Sequence, residues 1–291
     1  MSRAAYPAPL QKSSSGVQQF ISKHFLPQAG ENRTQARASN ANIESTSSGA
    51  RGVGNLQTTQ SSGKPFQLFV ITYNSETMSM DRMTQITHTM RDMNINVACL
   101  QGTRWSVDWD LWLNGFRVFN IPAGKASSEA HAGVSIVIDQ SLLVRMKVTK
   151  HIIMPHRIVN VRIHNMNQDL SFTSAYAPGD HISLAERNLV WEKLNTHLNQ
   201  IPERIIKIVG IDANGHIGRD TPTPYVESKG STRWTPNGQN LADIAQSQSM
   251  MLTNTLESCR NCTWTWQCRD GRTRNRVDYL MIPSHCISKL M

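Results

Sequence analysis

Several strand-forming runs in this sequence end in, or are interrupted by, a side chain able to act on phosphate. Asn74 closes VITYN, and Tyr176 closes TSAY, with Pro178 fixing the turn beyond it. Asp212 and Asn214 follow the run over 205–211 inside IDANGHIG, where Gly215 and Gly218 permit a tight turn. Asp278 lies within the last such run, RVDYLMI. Taken singly, each has a plain structural reading, because Asx residues close turns and a tyrosine at a strand end packs. It is the order and spacing of the whole set that points to phosphate chemistry.

The elements that must position these residues alternate from Phe66 onward. Residues 67–73 read as a buried strand, and 80–93 as a helix with Met83, Ile86, Met90 and Met93 on one face. Those methionines read as core packing rather than as a metal or cofactor feature. Further strands are expected at 97–101, 133–138, 157–163, 170–176 and 205–211. Between the last two lies a helix at 184–200. Ser183 and Glu186 make its capping box, Val190, Leu194, Leu198 and Ile201 repeat at helical spacing, and Pro202 stops it. A helix near 239–249 and strands near 263–267 and 275–282 complete the order. Strands outnumber helices and several neighbours read as hairpin-linked, which favours a two-sheet layered α/β domain over a doubly wound parallel sheet.

Composition narrows the class. The chain has 291 residues, a length that suggests about two domains, but its charge is unevenly spread. Residues 1–64 carry seven Lys or Arg against two Glu, +5 of the total +9. They are rich in Ser, Gln, Ala, Gly and Asn and cannot bury enough surface to offset chain entropy, so they read as a disordered low-complexity tail. Residues 65–291 fit one large α/β domain. No run of about 18 apolar residues occurs, which excludes a membrane-spanning helix, and the N-terminus lacks an apolar signal core. Five scattered cysteines argue against a disulfide framework and for a reducing compartment.

The blocks ITYN, VACLQGTRW, GVSIVI, YAP, IDANGHIGRD, NGQNLADIA with the later Asn254-Thr255, and TWQCRDGRTRNRVDYLMI stand in an order that resembles the endonuclease/exonuclease/phosphatase superfamily. The resemblance runs from about Gln67 to the C-terminus and is closest to craniofacial development protein 2-like proteins and the endonuclease domains of non-LTR retrotransposons. It implies a four-layer α-β-β-α sandwich of two packed mixed sheets. It also implies a Mg²⁺-dependent (or Mn²⁺-dependent) phosphodiester hydrolase with DNA as partner. Asn74 matches the asparagine that helps arrange metal and phosphate, and Tyr176 the tyrosine that bonds the scissile phosphate. Asp212 and Asn214 match the pair that orients the attacking water and holds phosphate oxygens. Asp278 matches the aspartate that orients a catalytic histidine. Cleavage of a crowded anion needs charge neutralisation and aligned donors, which a hard cation with oxygen ligands supplies.

Two departures bear on activity. The family pattern Leu-Gln-Glu-Thr-Arg reads Leu100-Gln101-Gly102-Thr103-Arg104 here, so Gly102 stands where the metal-binding glutamate is expected. Glu76 and Asp108 are the neighbouring carboxylates that could stand in. The family's later Asp-His pair is also missing before Met291, and Ser284-His285 arrives too early to supply it, which reads as a C-terminal truncation. The expected function is therefore a degenerate DNA endonuclease-like hydrolase of retroelement or apurinic type. The alternative is a non-catalytic nucleic-acid-binding or scaffold remnant, using Arg104, Arg219, Arg272, Arg274 and Arg276 on phosphates. An inositol-phosphate or lipid phosphatase fits less well, given the retroelement-like blocks and the lack of an anchor.

Two smaller motifs stand outside this set. In the tail, Gln18, Ile21, His24 and Phe25 have the spacing of the peptide that docks on a sliding clamp by a single helical turn; the plain reading is a chance match in a Gln-rich segment. That motif and the DNA substrate class are the basis for expecting a nuclear location. Cys259, Cys262, Cys268 and Cys286 suggest zinc, but the second spacing is wrong for paired knuckles, and ordinary thiols are expected.

Overall fold

Strands whose side chains are apolar on both faces need cover on both sides, and two stacked sheets with helices outside provide it. The computed structural model describes residues 22–26, 66–127, 129–165, 168–218, 223–226, 233–256, 265–267 and 274–289. The first sheet is built from β1 (Ser22–Leu26), β2 (Phe66–Asn74), β3 (Val97–Gln101), β4 (Trp109–Leu113), β5 (Phe116–Ile121) and β6 (Val134–Asp139). The second contains β7 (Lys147–Met154), β8 (Ile158–His164), β9 (Leu170–Tyr176), β10 (Ile206–Asp212), β11 (Met250–Leu252) and β14 (Asp278–Pro283). Between the last two come β12 (Trp266–Gln267) and β13 (Arg274–Asn275), which form a small separate ribbon. The strand orders are β1-β2-β3-β6-β5-β4 and β11-β14-β10-β9-β8-β7. In each sheet one pair is parallel, β2 with β3 and β9 with β10, while the other pairs are antiparallel, so both sheets are mixed.

Among the described residues, three α-helices cover the outer faces: α1 (Met80–Asp92), α2 (Leu184–Gln200) and α3 (Pro236–Ser247). Side-chain alternation divides the apolar residues into three cores. Leu68, Val70, Phe119, Ile136, Val161 and Phe172 fill the space between the sheets. Met83 and Met90 of α1 pack over Ile71, Ala98, Val118 and Val137 on the outside of the first sheet. Val190, Leu194 and Leu241 pack over Val209, Ile211 and Met281 on the outside of the second. Each fully buried side chain of this kind contributes about 1.5–3 kcal/mol. The layering is α-β-β-α, with the helix starts set by side-chain caps. Ser183 accepts from the Glu186 amide, and Thr235 accepts from the Gly238 amide with Pro236 in the first turn.

Several details differ from the sequence reading. The β4–β5 hairpin and β7 are additional strands. The hairpin's signal is Asn114-Gly115 between alternating runs, and both turn residues have positive φ, +52° and +82°, as a tight right-twisted hairpin turn requires. The α3 helix begins at Pro236 rather than at 239, because Thr-Pro is a start signal. Met93 caps α1 and is exposed, so it lies off the buried stripe. Within the segment read as a tail, Ser22–Leu26 forms β1, antiparallel to the edge that β2 would otherwise leave open. His24 and Phe25 of the clamp-like peptide are thus in a strand rather than a helical turn, and Gln18 and Ile21 lie outside the described residues.

Candidate active site

Alternation along the strands explains why residues far apart in sequence meet. Leu68 and Val70 of β2 face the opposite sheet, and Asn74 shares their phase; Ile208 sets the same phase for Asp212 in β10. Leu170 and Phe172 do so for Tyr176 in β9, and Leu280 and Ile282 for Asp278 in β14. All four side chains are therefore directed between the sheets at one rim. Register completes the cluster, with Asp212 directly opposite Tyr176 on one side and Asp278 on the other.

Across the gap between the sheets, Asn74 Nδ2 donates to Asp212 Oδ2 at 2.5 Å. The backbone N–H of Asn214 donates to Asp212 Oδ1 at 2.9 Å, and the Glu76 N–H donates to Asn74 Oδ1 at 3.0 Å. Asn214 Nδ2 donates to the Ala177 carbonyl at 2.8 Å, tying the turn after β10 to the turn after β9. Asn74, Glu76, Tyr176, Asp212 and Asn214 line a cleft of about 350 Å³ together with Gly102, Arg104, His131, Asp180, His216 and Asn275. Asp278 does not line it. Its Oδ1 is buried with no hydrogen-bond partner among the described residues.

Burial and crowding of acids shape the ionisation. Burial, reinforced by the charge of Asp278, pushes the Asp212 carboxyl well above the usual carboxylate range, against the pull of the Asn214 and Asn74 donors. Burial likewise pushes Asp278 up to about 7; the Thr265 hydroxyl opposes this and Glu76 adds to it. Burial and the Asp212 charge hold the Tyr176 phenol at about 12, so it is a neutral donor at physiological pH, hydrogen-bonded to Asn214.

Buried polar residues hold the rim in shape. Gln101 bridges the sheets: its Nε2 donates to Ser174 Oγ at 3.1 Å and to the Gly210 carbonyl at 3.2 Å, and its Oε1 accepts from Thr72 Oγ1. The backbones approach closely there because residue 210 is glycine; a Cβ would lie 2.4 Å from that of Cys99. Asn237, in the first turn of α3, donates to the Pro178 carbonyl at 2.8 Å and to the Asn214 carbonyl at 3.3 Å. It also accepts from Trp191 Nε1 at 3.0 Å. This single amide therefore locks the turns after β9 and β10 to α2.

The donor set does not fit a divalent cation. Gly102 offers no ligand, and its φ of +61° places the missing Cβ 2.7 Å from Asn74 Oδ1, in space the asparagine fills. Both oxygens of Asp212 and the Asn74 oxygen already accept hydrogen bonds. No group of three His, Cys, Asp or Glu residues is placed to hold a metal among the described residues. Of the two stand-in carboxylates, Glu76 lines the cleft, whereas Asp108 is paired with Lys150 at 2.5 Å and does not.

His285 is exposed in a short 3₁₀ helix, Ser284–Lys289, beyond the end of β14 remote from Asp278. Cys99 is a buried free thiol, burial pushing it up to about 12, and Cys286 is buried; Cys259, Cys262, Cys268, Arg219 and Arg272 lie outside the described residues. The sequence reading did not single out His131, His216 or Asn237. His216 was reachable from its place two residues after Asn214 in the same turn, but nothing local marks His131.

No family model matches the chain. It is 22% identical over 213 residues to craniofacial development protein 2 of Bos taurus and 21% identical over 213 residues to that of Tragulus javanicus, matches that span 72% of this chain. The chain spans only about a third of the length of these curated relatives, 35% and 36%. Among solved structures it is similar to the endonuclease domain of TRAS1, a telomere-specific non-LTR retrotransposon, with a TM-score of 0.52 and 16% identity over 75% of this chain and 86% of that one. It is also similar to the AP endonuclease LMAP from Leishmania major, with a TM-score of 0.55 and 14% identity over 75% of this chain and 80% of that one. The catalytic domain of Xenopus laevis APE2 gives 0.52 and 14% over 75% and 83%. With its two stacked mixed sheets and outer helices matching these structures, the chain has the fold of the endonuclease/exonuclease/phosphatase superfamily.

Proposed function

We propose that this chain is a nuclease-type phosphodiester-binding domain for DNA whose hydrolytic power is largely lost. The observation that carries the reading is the shared rim of Asn74, Tyr176, Asp212 and Asn214 beside a position 102 that has no carboxylate. Tyr176, a neutral donor, bonds a phosphate oxygen, and Asn214 orients it. Asp212 is the base for an attacking water, and burial raises its affinity for the proton. Mg²⁺, which the resemblance implies, would supply charge neutralisation worth several kcal/mol; at 1.36 kcal/mol per tenfold, its loss slows cleavage by about a hundredfold or more. Similarity to the TRAS1 endonuclease domain and to LMAP supports DNA as the ligand class.

The test is plasmid nicking in Mg²⁺ together with duplex binding as a function of salt. The expected result is affinity that falls steeply with salt, together with slow nicking that Asp212→Asn abolishes. Rapid nicking would refute the loss of catalysis, and absence of salt-dependent binding would refute the ligand.

A further inference from the structure

Among the described residues, Arg104 is a cation in the cleft without a partner. It lines the cavity, its guanidinium makes no hydrogen bond or salt bridge with a described residue, and its charge acts on the Tyr176 phenol. The backbone holds it there. Arg104 has φ +56° and donates its N–H to the Ala132 carbonyl at 3.0 Å, while Thr103 donates to the Gly133 carbonyl at 3.1 Å. Two further nitrogen-bearing side chains reach the same space. The His216 Nδ1 lies 3.3 Å from the Arg276 carbonyl, which can only accept, so this nitrogen carries the proton. His131 enters from the 129–133 turn. The carboxylates of Glu76, Asp180 and Asp212 line the cleft as well. On the side of Gly102, the Asn74 amide has closed onto Asp212 and fills the volume in which a carboxylate at 102 would begin.

We infer that the cleft holds a phosphate group without a divalent cation, the Asn74 side chain filling the place of a metal ligand and Arg104 supplying the counter-charge. This rests on the phosphodiester-binding reading above and names how that site neutralises its ligand. An arginine suits the task because its planar fork bonds two phosphate oxygens at once and stays charged at every relevant pH. The ligand class is a phosphodiester or terminal phosphate of a nucleic acid.

The test uses the full chain and two independent measurements. Mn²⁺ binding to the protein alone is followed by electron paramagnetic resonance of the free ion. Affinity for a fluorescein-labelled duplex is followed by anisotropy, in EDTA and in millimolar MgCl₂ at matched ionic strength. The inference expects no saturable Mn²⁺ site and the same duplex affinity in both buffers. It also expects Arg104→Ala to bind the duplex about tenfold more weakly, with Arg104→Lys in between. Thermal melting of both variants should match the parent, since the guanidinium has no partner among the described residues. A stoichiometric Mn²⁺ site that Asp212→Asn removes would overturn the inference, as would duplex binding that requires Mg²⁺ or an Arg104→Ala protein that binds as tightly as the parent. Failure of the ligand reading looks different: no duplex binding in either buffer, with the Mn²⁺ titration still flat. That result would discard Arg104's role and the DNA reading together, and leave the closed Asn74–Asp212 pair standing.

Discussion

Restoring a carboxylate at position 102 is the simplest repair of the departure from the superfamily pattern, and the structure predicts that alone it harms the protein. Gly102 sits at φ +61°, a region that costs a residue with a side chain about 1–2 kcal/mol. The new Cβ would lie 2.7 Å from Asn74 Oδ1, so Asn74 must move and loosen its bonds to Asp212 and to the Glu76 N–H. Losing a buried polar partner adds about 1–3 kcal/mol. The total is about 2–5 kcal/mol, and at roughly 2–4 °C per kcal/mol for a domain of this size the melting temperature should fall by about 10 °C. Gly102→Ala isolates this backbone and steric part. Gly102→Glu adds a charge beside Glu76 and Asp212 and should melt lower still, with Mg²⁺ recovering only the difference between the two variants. Thermal melting of both proteins with and without Mg²⁺, alongside plasmid nicking, reads every arm. A Gly102→Ala protein that melts within about 1 °C of the parent would refute the steric argument. A Gly102→Glu protein that is both stable and an active nickase would refute the account of why the site is closed to metal.

Asn237→Ala should cost about 2–4 kcal/mol in urea denaturation, because the Trp191 N–H and the Pro178 carbonyl both lose a buried partner; an unchanged midpoint would show that the turns do not depend on it. Tyr176→Phe should leave melting nearly unchanged and weaken duplex binding by about three- to tenfold, the worth of one hydrogen bond to phosphate. Asp278, raised to about 7 when folded, binds its proton more tightly in the native state than in the unfolded chain. Stability should therefore fall as pH rises from the ordinary carboxylate range through about 7, and Asp212, shifted in the same direction, extends the fall. Asp278→Asn should show a shallower decline and a higher urea midpoint than the parent at about pH 8; a parallel decline would show that the carboxyl is not held neutral.

Much of the framework was legible because local rules agreed with the global fold. Ser183 with Glu186 and the spacing of Val190, Leu194 and Leu198 marked α2, and the buried runs marked β2, β3, β9 and β10. The β4–β5 hairpin carried its own signal in Asn114-Gly115. By contrast, β1 depends on a sheet edge some forty residues away, and nothing within Ser22–Leu26 announces it.

The same division holds for the site. Residue types at the strand ends, their order and the resemblance they carry were what singled out Asn74, Tyr176, Asp212, Asn214 and Asp278, and phase within a strand decides which face each side chain takes. They were also enough to show that position 102 has no ligand to offer. Only the stacking of the sheets decided that Asn74 closes onto Asp212, that Asp278 is shut beneath the rim with an oxygen that has no partner among the described residues, and that Arg104 and His131 face the same cleft. Those outcomes turn on distances between chain segments up to 138 residues apart, and the proton affinities of the two aspartates follow from burial and from repulsion by neighbouring acids that exist only once the sheets are packed.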